Sequence, residues 1–106
     1  MTIPSWLAPN AEIAEPRVKK FAERISKYTD AEIIDFWPTE PTIHVVEDLE
    51  GNRWHEAWFC LQLKGEFAHF PMTEINTWRK TIQCWHVEYS EHHQCTNVLL
   101  SGRVLN

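Results

Sequence analysis

Glycine is scarce in this chain of 106 residues, which contains only Gly51, Gly65 and Gly102. Loops that hold nucleotide phosphates need several closely spaced glycines, because their backbone N–H groups must approach the phosphate oxygens directly. The three glycines here lie far apart in the sequence. The sequence therefore argues against nucleotide binding.

Cysteines and long apolar runs are also limited. Cys60, Cys84 and Cys95 are an odd number of cysteines without the spacing of a disulfide framework. The first ten residues, MTIPSWLAPN, contain two prolines and no positive charge, unlike a secretory signal peptide. No stretch approaches the roughly 20 apolar residues that cross a bilayer. We expect a cytoplasmic protein with reduced thiols and no membrane association.

Sequence signals of catalysis are weak. His55 and Glu56 lack the second histidine at helical spacing that a zinc-protease motif requires. None of the four serines lies in a Gly-x-Ser-x-Gly turn. Cys60 and Cys84 fall within predicted strands, where thiols usually serve as inert packing groups. We expect a protein without enzymatic activity or a cofactor.

The segment CWHVEYSEHHQC, residues 84–95, is the strongest candidate for a metal site. If Glu91 and His92 form the hairpin turn, five potential ligands share one strand face: Cys84, His86, Glu88, His93 and Cys95. The other face would carry Trp85, Val87 and Tyr89 and would be the core side. The ligands would then lie on the wetter face, and their C-x-H and H-x-C spacing differs from that of structural zinc sites. We predict no bound zinc.

Charge is unevenly distributed. The net charge is −5, but residues 1–29 hold five Lys or Arg against three Glu, and the remainder holds five against twelve carboxylates. The basic residues include a helical stripe formed by Arg17, Lys20, Arg24 and Lys27. An acidic body would repel a nucleic acid duplex, so we do not expect nucleic acid binding. The alternative is attraction of the stripe to the acidic segment at residues 47–56 of a second copy.

The hydrophobic pattern predicts one long helix followed by strands. Val18, Phe21, Ala22, Ile25 and Tyr28 are three or four residues apart, as on one face of an amphipathic helix that begins close to Glu15 and ends near Asp30. We expect this stripe to pack on Phe59, Leu61, Trp85 and Val87. Strands are predicted at residues 31–37, 42–49, 53–63, 67–71, 83–89 and 95–105, and a short second helix near 73–82.

The predicted fold class is α+β, with one long N-terminal helix packed on an antiparallel sheet of about five or six strands. Residues 1–106 are expected to form a single globular domain in which 1–12 are an extended lead-in. An N-terminal helix packed against a curved antiparallel sheet resembles the cystatin-like class of folds in its layout. No motif in the sequence indicates a particular family.

The stretch NRWHEAWFCLQLKGEF, residues 52–67, carries the main functional hypothesis. Strand alternation places His55, Ala57, Phe59, Leu61 and Leu63 on a core face, and Trp54, Glu56, Trp58, Cys60 and Gln62 on the opposite face. Two tryptophans are costly to leave in water. Either another part of the chain covers them as a second layer of core, or they contact a partner.

We therefore predict a small protein-binding module that contacts another protein or, as a homodimer, a second copy of itself. The candidate contact residues are Trp54, Glu56, Trp58 and Trp85. The alternative is a helix-on-sheet cup that holds a small apolar ligand, or supports an enzyme pocket, between the three tryptophans.

Overall fold

A computed structural model describes residues 8–67 and 82–104, with side chains described from residue 14 onward. The described residues form one helix and four strands: α1 (Ala8–Thr29), β1 (Ile33–Glu47), β2 (Arg53–Lys64), β3 (Ile82–Ser90) and β4 (Cys95–Arg103). The strands form one antiparallel sheet in the order β1-β2-β4-β3. Helix α1 packs on one face of this sheet. The predicted α+β class is confirmed.

The described sheet has four strands where five or six were predicted, and part of the difference lies in β1. The predicted strands at 31–37 and 42–49 form one strand, whose pairing with β2 shifts between Pro38 and Ile43. Strand β1 lies at the sheet edge, where prolines need not donate to a neighbour. The predicted strand at 67–71 and helix near 73–82 fall almost entirely outside the described residues.

Helix α1 begins earlier than its hydrophobic stripe indicates. It starts at Ala8 and continues through Pro16, so residues 8–12 are helical where an extended lead-in was expected. It ends as predicted at Asp30, whose positive φ of 54° reverses the chain. The Ala31 N–H then donates to the Ser26 carbonyl oxygen at 3.1 Å, an arrangement typical of a Schellman helix end.

The hydrophobic core lies between α1 and the sheet. Val18, Phe21 and Ile25 of the helix are buried against a sheet surface that includes Phe59 and Leu61, as the stripe and the strand alternation predicted. Gly102 lets the helix approach closely, because a Cβ atom there would lie 2.7 Å from Cγ2 of Val18.

Two predicted core contacts are wrong. Tyr28 is 55% exposed, because it lies on the last turn of α1, where the helix runs beyond its buried stripe. Trp85 is 41% exposed and lies on the opposite sheet face, because β3 contains a bulge between Cys84 and His86. A bulge adds one residue and reverses the alternation that follows it. Cys84 and Val87 therefore both pack against the core, although simple alternation would separate them.

Candidate binding face

We call the sheet surface opposite α1 the outer face. Strand β2 contributes Trp54, Glu56, Trp58 and Cys60, and the side chains paired with them on β4 include Leu99, Ser101 and Arg103. Strand β1 adds Trp37 and His44, and β3 adds Trp85 and His86. Directly paired residues of antiparallel strands share a face. The predicted division of β2 into a core face and a tryptophan face is therefore confirmed.

Three rings stack across the centre of the outer face. The Trp58 ring lies between His44, at a centroid distance of 4.3 Å, and Trp85, at 5.0 Å, with interplanar angles of 24° and 22°. The His44 ring is held by its Nε2 atom, which lies 2.8 Å from the Pro41 carbonyl oxygen. Because a carbonyl oxygen only accepts, Nε2 carries the proton. Trp58 is thus half-buried by neighbours in the same sheet.

A hydrogen-bonded network lies beside this stack. Glu56 is only 2% exposed and accepts two hydrogen bonds of 2.8 Å, one from Nε1 of Trp54 and one from the Ser101 hydroxyl. The Ser101 oxygen in turn accepts a 2.6 Å hydrogen bond from Nε1 of Trp85. Buried carboxylates are costly unless they are hydrogen-bonded in this way. Glu56 therefore fixes the orientation of the tryptophans and is not itself available to a partner.

The Trp54 ring is covered on one side by Arg103. The guanidinium carbon of Arg103 lies 4.3 Å from the ring centroid, within the range of a cation–π contact. The Arg103 carbonyl oxygen accepts a 2.5 Å hydrogen bond from Arg17 of α1. Trp54 is thus held by Glu56 through its N–H group and by Arg103 through its ring face.

Beyond the stack, the outer face contains a shallow groove of about 190 Å³. It is lined mainly by Trp37, Cys60, His86, Asn97 and Leu99. Trp37 is 36% exposed, so its ring is accessible at the edge of this groove. Burial raises the pKa of the Cys60 thiol, which lowers its thiolate fraction at neutral pH. The groove is a more suitable site for apolar contact than for thiol chemistry.

The residues considered for a metal site do not share one face. The β3–β4 turn spans residues 91–94, so Ser90 pairs with Cys95 and Glu88 with Asn97, a shift of two residues from the predicted register. Cys84 packs against the core, whereas His86 is exposed on the outer face. Within the described parts of the chain, no three His, Cys, Asp or Glu side chains are placed to hold a metal ion.

The four sequence-predicted contact residues differ in exposure. All four are held by internal contacts, but Trp85 alone among them is exposed. Sequence reasoning missed His44, Ser101, Arg103, Trp37 and Leu99 as parts of this face. Alternation within β1 and β4 could have identified some of them, but their partners are set by pairing between distant strands.

Comparisons with protein-family models, curated proteins and solved structures gave no match to this chain. In the described residues, no helix has the combination of length and apolar character required to cross a membrane.

Proposed function

We propose that the protein is a non-enzymatic protein-binding module that self-associates through its outer face. The observation that carries this proposal is the exposure of Trp85 and Trp37, at 41% and 36%, on the face whose other tryptophans are internally fixed. Exposed tryptophans are typical energetic centres of protein interfaces. A face already held by stacking and hydrogen bonds loses little conformational entropy on binding, which favours affinity.

The sheet edges are less suitable for association than the face. Edge strand β1 contains Pro38 and Pro41 and a shift in its pairing, and edge strand β3 contains the bulge at Cys84 and His86. Prolines and bulges are two common ways in which proteins prevent pairing between exposed edges. Contact through the outer face does not require either edge.

The size of the outer face suits a second copy. Four strands spaced about 4.8 Å apart and about nine residues long cover roughly 19 by 30 Å. Two such faces packed together bury on the order of 1,200 Å² in total, at the lower limit of stable protein interfaces. Sheets that pack face to face form an aligned sandwich, and a twofold dimer is the commonest closed arrangement.

The groove supports a second candidate function, which is binding of a small apolar ligand between Trp37 and His86. Its volume of about 190 Å³ is below the roughly 300–1,000 Å³ of typical ligand pockets. The three tryptophans of the predicted cup leave little room for a ligand between them, because Trp58 stacks on Trp85 and the ring of Trp54 contacts Arg103. The geometry therefore favours protein contact over ligand binding.

Sedimentation velocity across a concentration series tests the proposal with the variant Trp85→Ser. We expect the native protein to dimerise and the variant to dissociate at least about tenfold more readily, because it removes an exposed ring from the contact. Val45→Ser is the matched control, since Val45 is exposed but pairs with His55 on the opposite side of the sheet. Circular dichroism must show that both variants remain folded.

A native protein that stays monomeric at high concentration would contradict the proposal. Dimers that resist Trp85→Ser but dissociate in Val45→Ser would place the contact elsewhere. Trp85→Ser also removes the stack on Trp58 and a hydrogen bond to Ser101, which is why both folding controls are needed. Trp58→Ser is a poorer probe, because this half-buried ring lies at the centre of the stack and contacts both His44 and Trp85.

A further inference from the structure

One row of four side chains crosses the outer face from edge to edge. Trp37 pairs with Cys60, Cys60 with Leu99, and Leu99 with His86. The two members on the edge strands are exposed, and the two on the inner strands are half-buried. All four line the groove of the outer face. The groove therefore has Cys60 and Leu99 as its floor and one ring at each end.

The two long sides of the groove are also bounded by side chains. Residues two apart in a strand share a face, so the stack of Trp58 and Trp85 lies along one side. Gln62 and Asn97, which pair with each other, lie along the opposite side. The groove is thus enclosed within the face and opens only away from the sheet.

The strand order makes this row match a second copy of itself. A twofold axis parallel to the strands, placed between β2 and β4, exchanges the two inner strands and the two edge strands. Cys60 then faces Leu99 of the second copy, and Trp37 faces His86 of the second copy. A twofold contact makes each of these pairings twice. Sheets that pack face to face lie about 10 Å apart, so the two grooves open toward each other.

We propose that the outer-face dimer encloses a ligand site that neither copy forms alone, and that this site takes a neutral, planar aromatic molecule. The inference rests on the self-association proposed above. A single groove of about 190 Å³ is smaller than the roughly 300–1,000 Å³ of typical ligand pockets. Two facing grooves of this size together enclose about 380 Å³, which lies within that range.

The lining selects the chemical class of the ligand. Leu99 and Cys60 of the two copies form the floor and the roof, and the rings of Trp37 and His86 close both ends, where flat aromatic rings can stack. The described lining contains no carboxylate, ammonium or guanidinium group. A charged ligand would therefore lose its hydration without gaining a charged partner. The half-buried Asn97 amide offers one polar contact.

Two carboxylates lie at the rim of the proposed contact. Asp35 pairs with Gln62, and Glu88 pairs with Asn97, so the same axis places Asp35 of one copy over Glu88 of the other. Both residues are exposed, and the Glu88 carboxylate lies 3.5 Å from Nε2 of His86. Exposed charges are screened over about 8 Å at about 0.15 M salt. The association is therefore measured at this ionic strength.

Fluorescence of N-phenyl-1-naphthylamine, a neutral dye that emits strongly in apolar sites, tests the inference without any substitution. We expect the emission to rise as the protein dimerises and to saturate at one dye per two chains. Because the dye binds the dimer and not the monomer, it should also stabilise the dimer. At about ten times its dissociation constant, the dye should lower the dimer dissociation constant about tenfold in sedimentation velocity.

A cavity-filling variant locates the site. Leu99→Trp places an indole in the groove of each copy, so we expect it to bind the dye at least about tenfold more weakly than the native protein. Val45→Trp is the matched control, because Val45 is exposed and pairs with His55 on the opposite side of the sheet. It should bind the dye as the native protein does. Circular dichroism must show that both variants remain folded.

Three results would overturn the inference. These are saturation at one dye per chain, equal dye binding by monomer and dimer, and native dye affinity in Leu99→Trp. Dimers that are lost in Trp85→Ser but never bind the dye would overturn the inference and leave the proposed function standing. A native protein that stays monomeric with and without the dye would overturn both.

Discussion

Replacing Ser101 by alanine tests whether the hydrogen-bonded network of the outer face stabilises the fold. The side chain is completely buried, and its hydroxyl donates to Glu56 and accepts from Trp85. Ser101→Ala removes both hydrogen bonds and adds no new group. Glu56 then loses one of its two donors in a site that water barely reaches. Trp85 loses its acceptor too, but its indole is exposed enough for water to replace part of that contact.

The expected loss in unfolding free energy follows from these two hydrogen bonds. A hydrogen bond to a charged group contributes about 1.5–3 kcal/mol, and a neutral one contributes about 1 kcal/mol or less when water can replace it. We expect Ser101→Ala to destabilise the protein by about 2–3 kcal/mol. Urea unfolding followed by circular dichroism measures this difference, provided that the dependence on urea concentration is unchanged.

Repeating the substitution in a Glu56→Gln variant separates the contribution of the carboxylate charge to stability from that of side-chain packing. In Glu56→Gln the side chain is neutral and nearly the same size, but it has only one accepting oxygen. That oxygen can still accept from Trp54 while the NH2 group donates to the Ser101 oxygen. Ser101→Ala then removes only neutral hydrogen bonds and should cost about 1 kcal/mol there. Equal losses in both backgrounds would mean that the carboxylate does not strengthen the hydrogen bond. A loss below about 0.5 kcal/mol in the native background, as for ordinary surface changes, would refute the proposed stabilisation altogether.

Three further predictions concern the core and the acidic turn. Phe21→Ala should cost about 3–5 kcal/mol in urea unfolding, because it leaves a cavity under α1. Gly102→Ala should cost about 1–3 kcal/mol, since its new methyl group overlaps Val18. The Asn52 side-chain amide is the main cause of the lowered pKa of Asp48, so Asn52→Ala should raise that pKa toward its ordinary value in an NMR titration. Stabilisation by Asp48 is complete above its unfolded-state pKa and is lost as the pH falls through the lowered value.

For each of these three predictions, one result would contradict it. Lys20→Ala, on the exposed side of α1, is the control for Phe21→Ala and should change stability by less than about 0.5 kcal/mol. A loss below about 1 kcal/mol for Phe21→Ala would mean that the helix does not carry the core. Gly102→Ala at native stability would show that the helix can shift away from β4. An unchanged Asp48 titration in Asn52→Ala would assign the lowered pKa to the backbone N–H groups instead.

Local patterns predicted the parts of the fold that depend on local geometry. The spacing of Val18, Phe21 and Ile25 identifies the buried side of α1, because helical periodicity is a property of consecutive residues. Alternation from Trp54 to Leu63 identifies both faces of β2 for the same reason. The same helical spacing includes Tyr28, which is exposed, because a periodic pattern does not indicate how much of the helix the sheet covers.

The errors in the sheet come from pairing between strands. The bulge between Cys84 and His86 depends on how β3 pairs with β4 and leaves no clear mark on the apolar pattern. The contacts of Ser101 with Trp85 and Glu56 join residues 16 and 45 positions apart. A serine in a strand gives no sign of such partners. The sequence therefore indicated the tryptophan face but not the network that fixes it.

The sheet order has a consequence for how the chain reaches its folded state. Strand β4 follows the other three along the chain but lies between β2 and β3. The β1–β2 and β3–β4 hairpins close over short turns, whereas pairing of β2 with β4 joins residues such as Glu56 and Arg103, far apart in sequence. Closing the longer loop costs more entropy, so we expect the hairpins to form first and their joining to limit the folding rate. Until the two hairpins join, β2 and β4 each expose an unpaired strand edge, and aggregation should compete with folding at that stage.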